Sequence, residues 1–297
     1  MRAQHPSTLA YKQLGPLAIQ ADVYAPAGQP RPVILWLHGG ALVVGTRRSL
    51  PADQLARYLR AGYAVVAVDY RLAPESKLDA ILEDLSDACR WVRETLPRLA
   101  PVNPERLAVV GHSAGGYLAL VSGCCVTPRP QAIVSFYGYG DIRGPWYSEP
   151  DPFYCQRPAV SREEALAAVG AEPLAESTEP ARWDRYYLYL RQNGLWPREV
   201  TGHDPHTEPG AFDRYCPVRQ VDASFPPTLL LHGTADTDVP CEQSVLMAEA
   251  LARAGVHHEL VLLPDAPHGF DQEHSAVSAP AARDAFARVL RFLDQHL

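Results

Sequence analysis

The sequence predicts an α/β fold, a mostly parallel central sheet flanked by helices, with one long aromatic-rich segment inserted near its end. Three observations predict it. Short continuous apolar runs recur at residues 33–37, 63–68, 106–110 and 131–136, as in strands covered on both faces. Helix-length stretches with apolar residues three or four apart lie between these runs, which implies right-handed crossovers. The alternation then stops from about residue 137 to 226 and resumes at Thr228.

Taken in order, residues 17–24 alternate apolar and polar side chains as a half-exposed edge strand does, and Pro26, Gly28 and Pro30 close it. Val33–Leu37 reads as a central strand delivering His38-Gly39-Gly40-Ala41 at its C-terminal end. Helix 52–61 follows, then strand 63–68, ending in Asp69-Tyr-Arg-Leu-Ala-Pro-Glu75. Ile81, Leu85, Ala88, Cys89, Val92 and Leu96 form the apolar face of a crossover helix, with Asp79 as its expected N-cap. Strand 106–110 leads through Gly111-His112-Ser113-Ala114-Gly115 into a small-residue helix, and strand 131–136 follows. After the insertion come strand 228–231, helix 241–254, strand 258–263 and a last helix over 279–296. These boundaries give a core of 1–136 and 227–297 and an inserted segment of 137–226.

The insertion carries two weak helical stretches, 161–169 and 179–192, and 14 of the 26 aromatic residues fall between Phe136 and Tyr215. Long insertions in α/β enzymes tend to lie over the strand ends, and aromatic walls line small-molecule pockets, so a cap is expected here. Trp146, Tyr147, Trp183 and Tyr187 are its candidate substrate contacts, with Tyr186 and Trp196 beside them.

A net charge of −7 with no basic run argues against a nucleic-acid surface. No segment approaches 18 uninterrupted apolar residues, and the first nine residues lack a secretory apolar core, so a soluble cytoplasmic protein is expected. The six cysteines show no C-x-x-C spacing and read as reduced, with Cys155 and Cys216 able to pair only in an oxidising compartment.

G-x-S-x-G between a strand and a helix reads as a nucleophile elbow, with Ser113 on a strained turn and Gly111 and Gly115 supplying clearance. A serine hydroxyl needs a base, and the base needs an acid to fix its tautomer. Asp236 and His268 each lie a few residues past a later strand, in the order Ser, Asp, His; Asp238 is the alternative acid on the same loop. The N–H groups of Ala114, Gly40 and Ala41 are the candidate oxyanion donors, and Gly39 could itself donate. His203 and His206 flank a proline in an expected loop and are read as a chance pairing, so no metal and no cofactor is expected.

Together His38-Gly-Gly-Ala, Asp69-Tyr-Arg-Leu-Ala-Pro-Glu, Gly111-His-Ser-Ala-Gly-Gly, and the Asp236 and His268-Gly-Phe loops resemble the hormone-sensitive-lipase-like branch of the α/β-hydrolase fold carboxylesterases. The resemblance spans about 30–140 and 225–297. It departs at Ala41, where that family usually has a third glycine, at His112, where it usually has Asp, and at the acid, which usually sits in a D-P-L context. The His232-Gly-Thr-Ala-Asp-Thr-Asp-Val-Pro and G-H-S-A-G-G stretches are similar to the dienelactone hydrolase, arylformamidase and prolyl oligopeptidase relatives. The resemblance implies a serine esterase for short- to medium-chain esters, with Asp69, Arg71 and Glu75 supporting the site. An amidase or peptidase using the same residues, or a non-catalytic receptor, are the alternatives. The expected partner is a small-molecule ester, not a nucleic acid or a membrane; monomer or homodimer stays open.

Overall fold

The structure, a computed structural model, describes residues 5–272 and 279–297. The eight strands among the described residues are β1 (Ser7–Leu14), β2 (Leu17–Tyr24), β3 (Arg31–Leu37), β4 (Ala64–Val68), β5 (Val102–His112), β6 (Ala132–Phe136), β7 (Thr228–Gly233) and β8 (His258–Leu263). They form one sheet in the order β1-β2-β4-β3-β5-β6-β7-β8. The β1–β2 and β2–β4 pairs are antiparallel; every later pair is parallel.

Period-two alternation along β3 divides the core. Val33, Leu35 and Leu37 face a layer with α2 (Leu78–Glu94), α3 (Ala114–Cys125) and α8 (Glu242–Arg253). Ile34 and Trp36 face the other layer, under α1 (Ala52–Arg60) and α9 (Ala279–His296). Each fully buried aliphatic side chain is worth about 1.5–3 kcal/mol, so a one-residue slip of this strand would forfeit both layers.

Strand 17–24 is not the edge; β1 covers it, with Thr8 Oγ1 donating to Asp22 Oδ1 at 2.7 Å. Of the β1 side chains only that of Tyr11 is buried, so the strand lacks the apolar alternation that marks its neighbours. Helix α2 starts at Leu78 with Lys77 as N-cap, because Asp79 points across to Arg214 and the Tyr215 hydroxyl instead of capping.

Between β6 and β7 the chain holds short helices, among them α4 (Pro145–Ser148), α5 (Arg162–Leu166), a π-helical turn over Arg182–Tyr187 running into α6 (Leu188–Asn193), and α7 (Trp196–Thr201), with 3-10 turns at Tyr154–Gln156, Pro209–Tyr215 and Pro217–Arg219. An antiparallel bridge between Gly45 and Ser177 joins this segment to the loop after β3. All six cysteines are free; Cys216 is buried and Cys155 exposed, so the two do not pair. No helix among the described residues is long and apolar enough to cross a membrane. Residues 1–4, which belong to the stretch read for a leader, lie outside the described residues.

Candidate active site

The C-terminal ends of β3, β5, β6, β7 and β8 lie side by side at one edge of the sheet, where open α/β sheets bind ligands. Each end delivers one part of the site. Strand β5 runs into Ser113, which sits at φ 55°, ψ −118°, outside the ordinary regions for a residue with a side chain. Such a position costs about 1–3 kcal/mol and persists only where its surroundings force it. Here the forcing is steric: a Cβ on Gly111 would meet the Gly115 carbonyl oxygen at 2.0 Å, and one on Gly115 would meet the Leu37 carbonyl oxygen at 2.2 Å. The Ser113 N–H donates to the Phe136 carbonyl at 2.9 Å, which ties the turn to β6.

His268, on the loop after β8, faces this turn. The Ser113 hydroxyl donates to His268 Nε2 at 3.1 Å, and His268 Nδ1–H donates to Asp236 Oδ2 at 2.7 Å. The other Asp236 oxygen accepts the N–H groups of Asp238 and Val239, both at 2.9 Å. Burial alone would raise the Asp236 carboxyl, but hydrogen bonds from His232 and His268 outweigh it and hold the group well below the usual carboxylate range. Burial works against a charged His268, yet its bond to Asp236 and the charges of Asp238, Asp236 and Asp271 raise its pKa above the ordinary 6.5. A serine hydroxyl on a neutral imidazole, itself held by a carboxylate, is an arrangement that can form and release a serine ester.

The loop after β3 turns back over Ser113. Gly40 stands at φ 106° and Ala41 at φ 53°, and Gly40 has no room for a Cβ, which would meet the Val44 carbonyl oxygen at 1.9 Å. Beneath it lies His38, buried and stacked on Tyr70 with ring centroids 4.1 Å apart. Burial takes the His38 pKa down to about 4, so a neutral ring donates from Nδ1 to the Gly39 carbonyl at 2.7 Å. Gly39 and Gly40 line the cavity, and the Ala41 carbonyl accepts from Trp196 Nε1 at 2.7 Å. Ala114 opens helix α3 directly after Ser113, at the N-terminal end where helix N–H groups lack internal acceptors.

The cavity in front of Ser113 measures about 610 Å³. Its walls include Trp36, Leu50, Pro51, Tyr137, Trp183 and Gln272. Among the expected substrate contacts, Trp183 reaches it and three do not. Tyr147 is buried between Trp146 and Trp196, with centroids 4.0 Å from each. Trp146 donates Nε1–H to the Asp141 carbonyl, and the Tyr187 hydroxyl is bound to Asp238. These rings close the interior of the insertion around Arg191, so packing within the segment governs their positions.

The residues of the Asp69–Glu75 stretch face three different partners. Asp69 is paired with Arg47, and burial, opposed by that pairing, pushes its carboxyl up to about 6. Arg71 is bound to Asp84. Glu75 pairs with Arg182 at 2.7 Å, and Arg182 also donates to the carbonyls of Val43 and Ala73. That arginine anchors the insertion to the loop after β3 and sets the place of neighbouring Trp183. His203 bonds Glu208, and His206 bonds the Ser148 carbonyl.

Asp271, three residues past His268, was not legible as part of the site. Its carboxylate accepts from His112 Nε2–H at 2.8 Å, the Tyr137 hydroxyl at 2.7 Å and Gln54 Nε2 at 2.6 Å. The one signal in the sequence is the departure at His112: an imidazole buried beside Ser113 needs an acceptor, and the chain must supply it from elsewhere.

A family model described as the alpha/beta hydrolase fold matches residues 34–272. The chain belongs to that family. This α/β hydrolase is similar in structure to a Staphylococcus aureus protein of unknown function, at 21% identity and TM-score 0.78, covering 98% of this chain and 99% of that one. An α/β hydrolase superfamily protein from Enterococcus faecalis matches at 23% identity and TM-score 0.75, over 98% of both chains. Thermogutta terrifontis esterase 2 matches at 23% identity and TM-score 0.69, over 98% of this chain and 94% of that one. At these identities the likeness shows the fold. Among curated proteins, the non-reducing polyketide synthase adrD of Penicillium rubens is 29% identical over 353 positions, spanning 100% of this hydrolase and 14% of the synthase. The non-reducing polyketide synthase Preu3 of Preussia isomera is 30% identical over 315 positions, spanning 89% of this hydrolase and 12% of the synthase. The chain thus spans only a small part of the length of these curated relatives.

Proposed function

We propose that this α/β hydrolase is a serine carboxylesterase that cleaves short- to medium-chain esters through an acyl-enzyme. The observation that carries the reading is the continuous hydrogen-bonded line from Ser113 through His268 to Asp236. In the proposed reaction His268 Nε2 takes the Ser113 proton as Oγ attacks the ester carbonyl, and Asp236 stabilises the resulting imidazolium. The N–H groups of Gly40, Ala41 and Ala114 hold the oxyanion, a contribution of about 2.7–4 kcal/mol per donor in comparable sites. His268 then returns the proton to the leaving alcohol, and water repeats the sequence in reverse to free the acid. The esterase among the structural neighbours supports this reading.

The cavity walls carry no Lys, Arg, Asp or Glu side chain among the described residues, which fits a neutral acyl or alcohol group. The similarity to a stretch of polyketide synthases favours a second acyl donor for the same site, a thioester in place of an oxygen ester. A panel of p-nitrophenyl esters of graded acyl length, run beside the matching thioesters, tests both. Turnover that passes through a maximum at short or medium chains supports the esterase reading, and faster acylation by the thioester at every length selects the second donor. Absence of turnover on the whole panel overturns both.

A further inference from the structure

His268 has a carboxylate on each side. Asp236 meets Nδ1 at 2.7 Å; Asp238 places Oδ2 3.5 Å from Nε2, the nitrogen that faces Ser113. The second carboxylate is nearly enclosed, and its remaining oxygen is saturated with donors from the inserted segment. Asp238 Oδ1 accepts from the Tyr154 hydroxyl at 2.8 Å, the Tyr187 hydroxyl at 2.7 Å and Arg191 Nη1 at 2.8 Å. Arg191 is 1% exposed, bridges to Asp151, and lies against the faces of Tyr147, Tyr154 and Tyr187. Holding a buried arginine and carboxylate this way carries a desolvation cost, and a cap could be anchored more simply by apolar contacts.

We propose that Asp238 is a second acidic partner of His268, stabilising the imidazolium from its Nε2 side, and that the Tyr154–Tyr187–Arg191 clamp of the inserted segment sets how strongly it does so. The inference rests on the reading of His268 as the base for Ser113. When the Ser113 proton moves to Nε2, the new positive charge lies between two carboxylates. Asp238 takes no proton in the step; the Nε2 proton goes on to the leaving group, and Asp238 contributes only its field. Each donor of the clamp withdraws charge from Oδ1 and so weakens that field. Docking of the insertion and basicity of the histidine are thereby coupled.

Among the described residues, the groups that face His268 are Asp236 and Asp238 on the loop after β7, Asp271 on its own loop, Tyr137 after β6 with ring centroids 4.6 Å apart, and Ser113. His232 of β7 reaches the site through Asp236 and Arg191 through Asp238. Asp271 is already committed to His112, Tyr137 and Gln54, which leaves Asp238 as the carboxylate whose strength the insertion can adjust.

The test is the pH dependence of the rate at which a fluorophosphonate probe labels Ser113, in the full chain and in two isosteric variants. Asp238→Asn removes the field, so the acid limb moves to lower pH by about one unit. Tyr154→Phe removes one donor from Asp238, so the limb moves to higher pH by a few tenths. Opposite displacements cannot come from a merely structural role, which would lower the rate at every pH and leave the limb in place. Unmoved limbs in both variants, or shifts in the same direction, overturn the inference. If Asp238→Asn does not fold, the direction of the Tyr154→Phe shift decides alone. Labelling that persists in Ser113→Ala removes the esterase reading itself, a result separate from any limb displacement.

Discussion

His112 donates its Nε2–H to Asp271 Oδ2 at 2.8 Å, while its Nδ1 accepts from Trp36 Nε1 at 3.1 Å. The two bonds orient the ring and join the residue before Ser113 to the loop that carries His268. Asp271→Asn keeps the shape but turns an amide NH₂ toward one of three donors. The loss of one buried acceptor costs about 1–3 kcal/mol, read as a lower midpoint in urea unfolding. Burial raises the Asp271 carboxyl, but the positive charge His112 carries when protonated, with the hydrogen bonds of His112, Tyr137 and Gln54, outweighs it and holds the group below its ordinary 3.8. Its contribution is therefore present above pH 3.8 and lost as pH falls through the lower folded value, so the gap between variant and parent closes in acid.

Arg182 and Glu75 form a pair whose side chains are 4% and 0% exposed. Removing only the arginine, as Arg182→Met, strands a buried carboxylate and two carbonyls. A loss of about 3–5 kcal/mol is expected in chemical unfolding. Replacing both members by apolar residues of similar volume should recover much of that loss, and a double-mutant cycle measures it.

Trp183 and Tyr147 separate binding from scaffold. Trp183 lines the cavity and is only partly buried, so Trp183→Ala should weaken kcat/KM by about tenfold, or 1.4 kcal/mol, chiefly through KM. Tyr147, 1% exposed and stacked on two rings, should instead cost about 3–5 kcal/mol of stability on truncation to Ala. Steady-state kinetics beside thermal unfolding of the two variants checks the contrast.

The reaction requires neutral His268, and the surrounding carboxylates raise its pKa above 6.5. Activity should therefore fall on the acid side along a limb centred above 6.5, which a kcat/KM profile from pH 5 to 9 displays.

Much of this site could be read from the chain. Ser113, Asp236 and His268 were legible because each follows an apolar strand, and parallel strands bring their C-terminal ends together whatever the loops do. Edge strand β1 was not, since a strand with one buried side chain has no apolar pattern to read. The aromatic content of the insertion was visible, but which rings face substrate depends on what they pack against. Arg191 gathers Tyr147, Tyr154 and Tyr187 inward, whereas Trp183, next to the anchored Arg182, and Tyr137, at the start of the segment, turn to the cavity. Asp271 was hidden for a different reason, because its three partners come from α1, the Ser113 turn and the end of β6, separated by up to 217 positions.

The central claim is that Ser113 carries the acyl group. The intact mass of the protein after reaction with a fluorophosphonate, followed by peptide mapping, measures it most directly. One adduct per chain at Ser113 is expected, absent from Ser113→Ala, together with a loss of turnover of about four to six decades in that variant. An adduct on another residue, or near-normal p-nitrophenyl ester hydrolysis by Ser113→Ala, would contradict it.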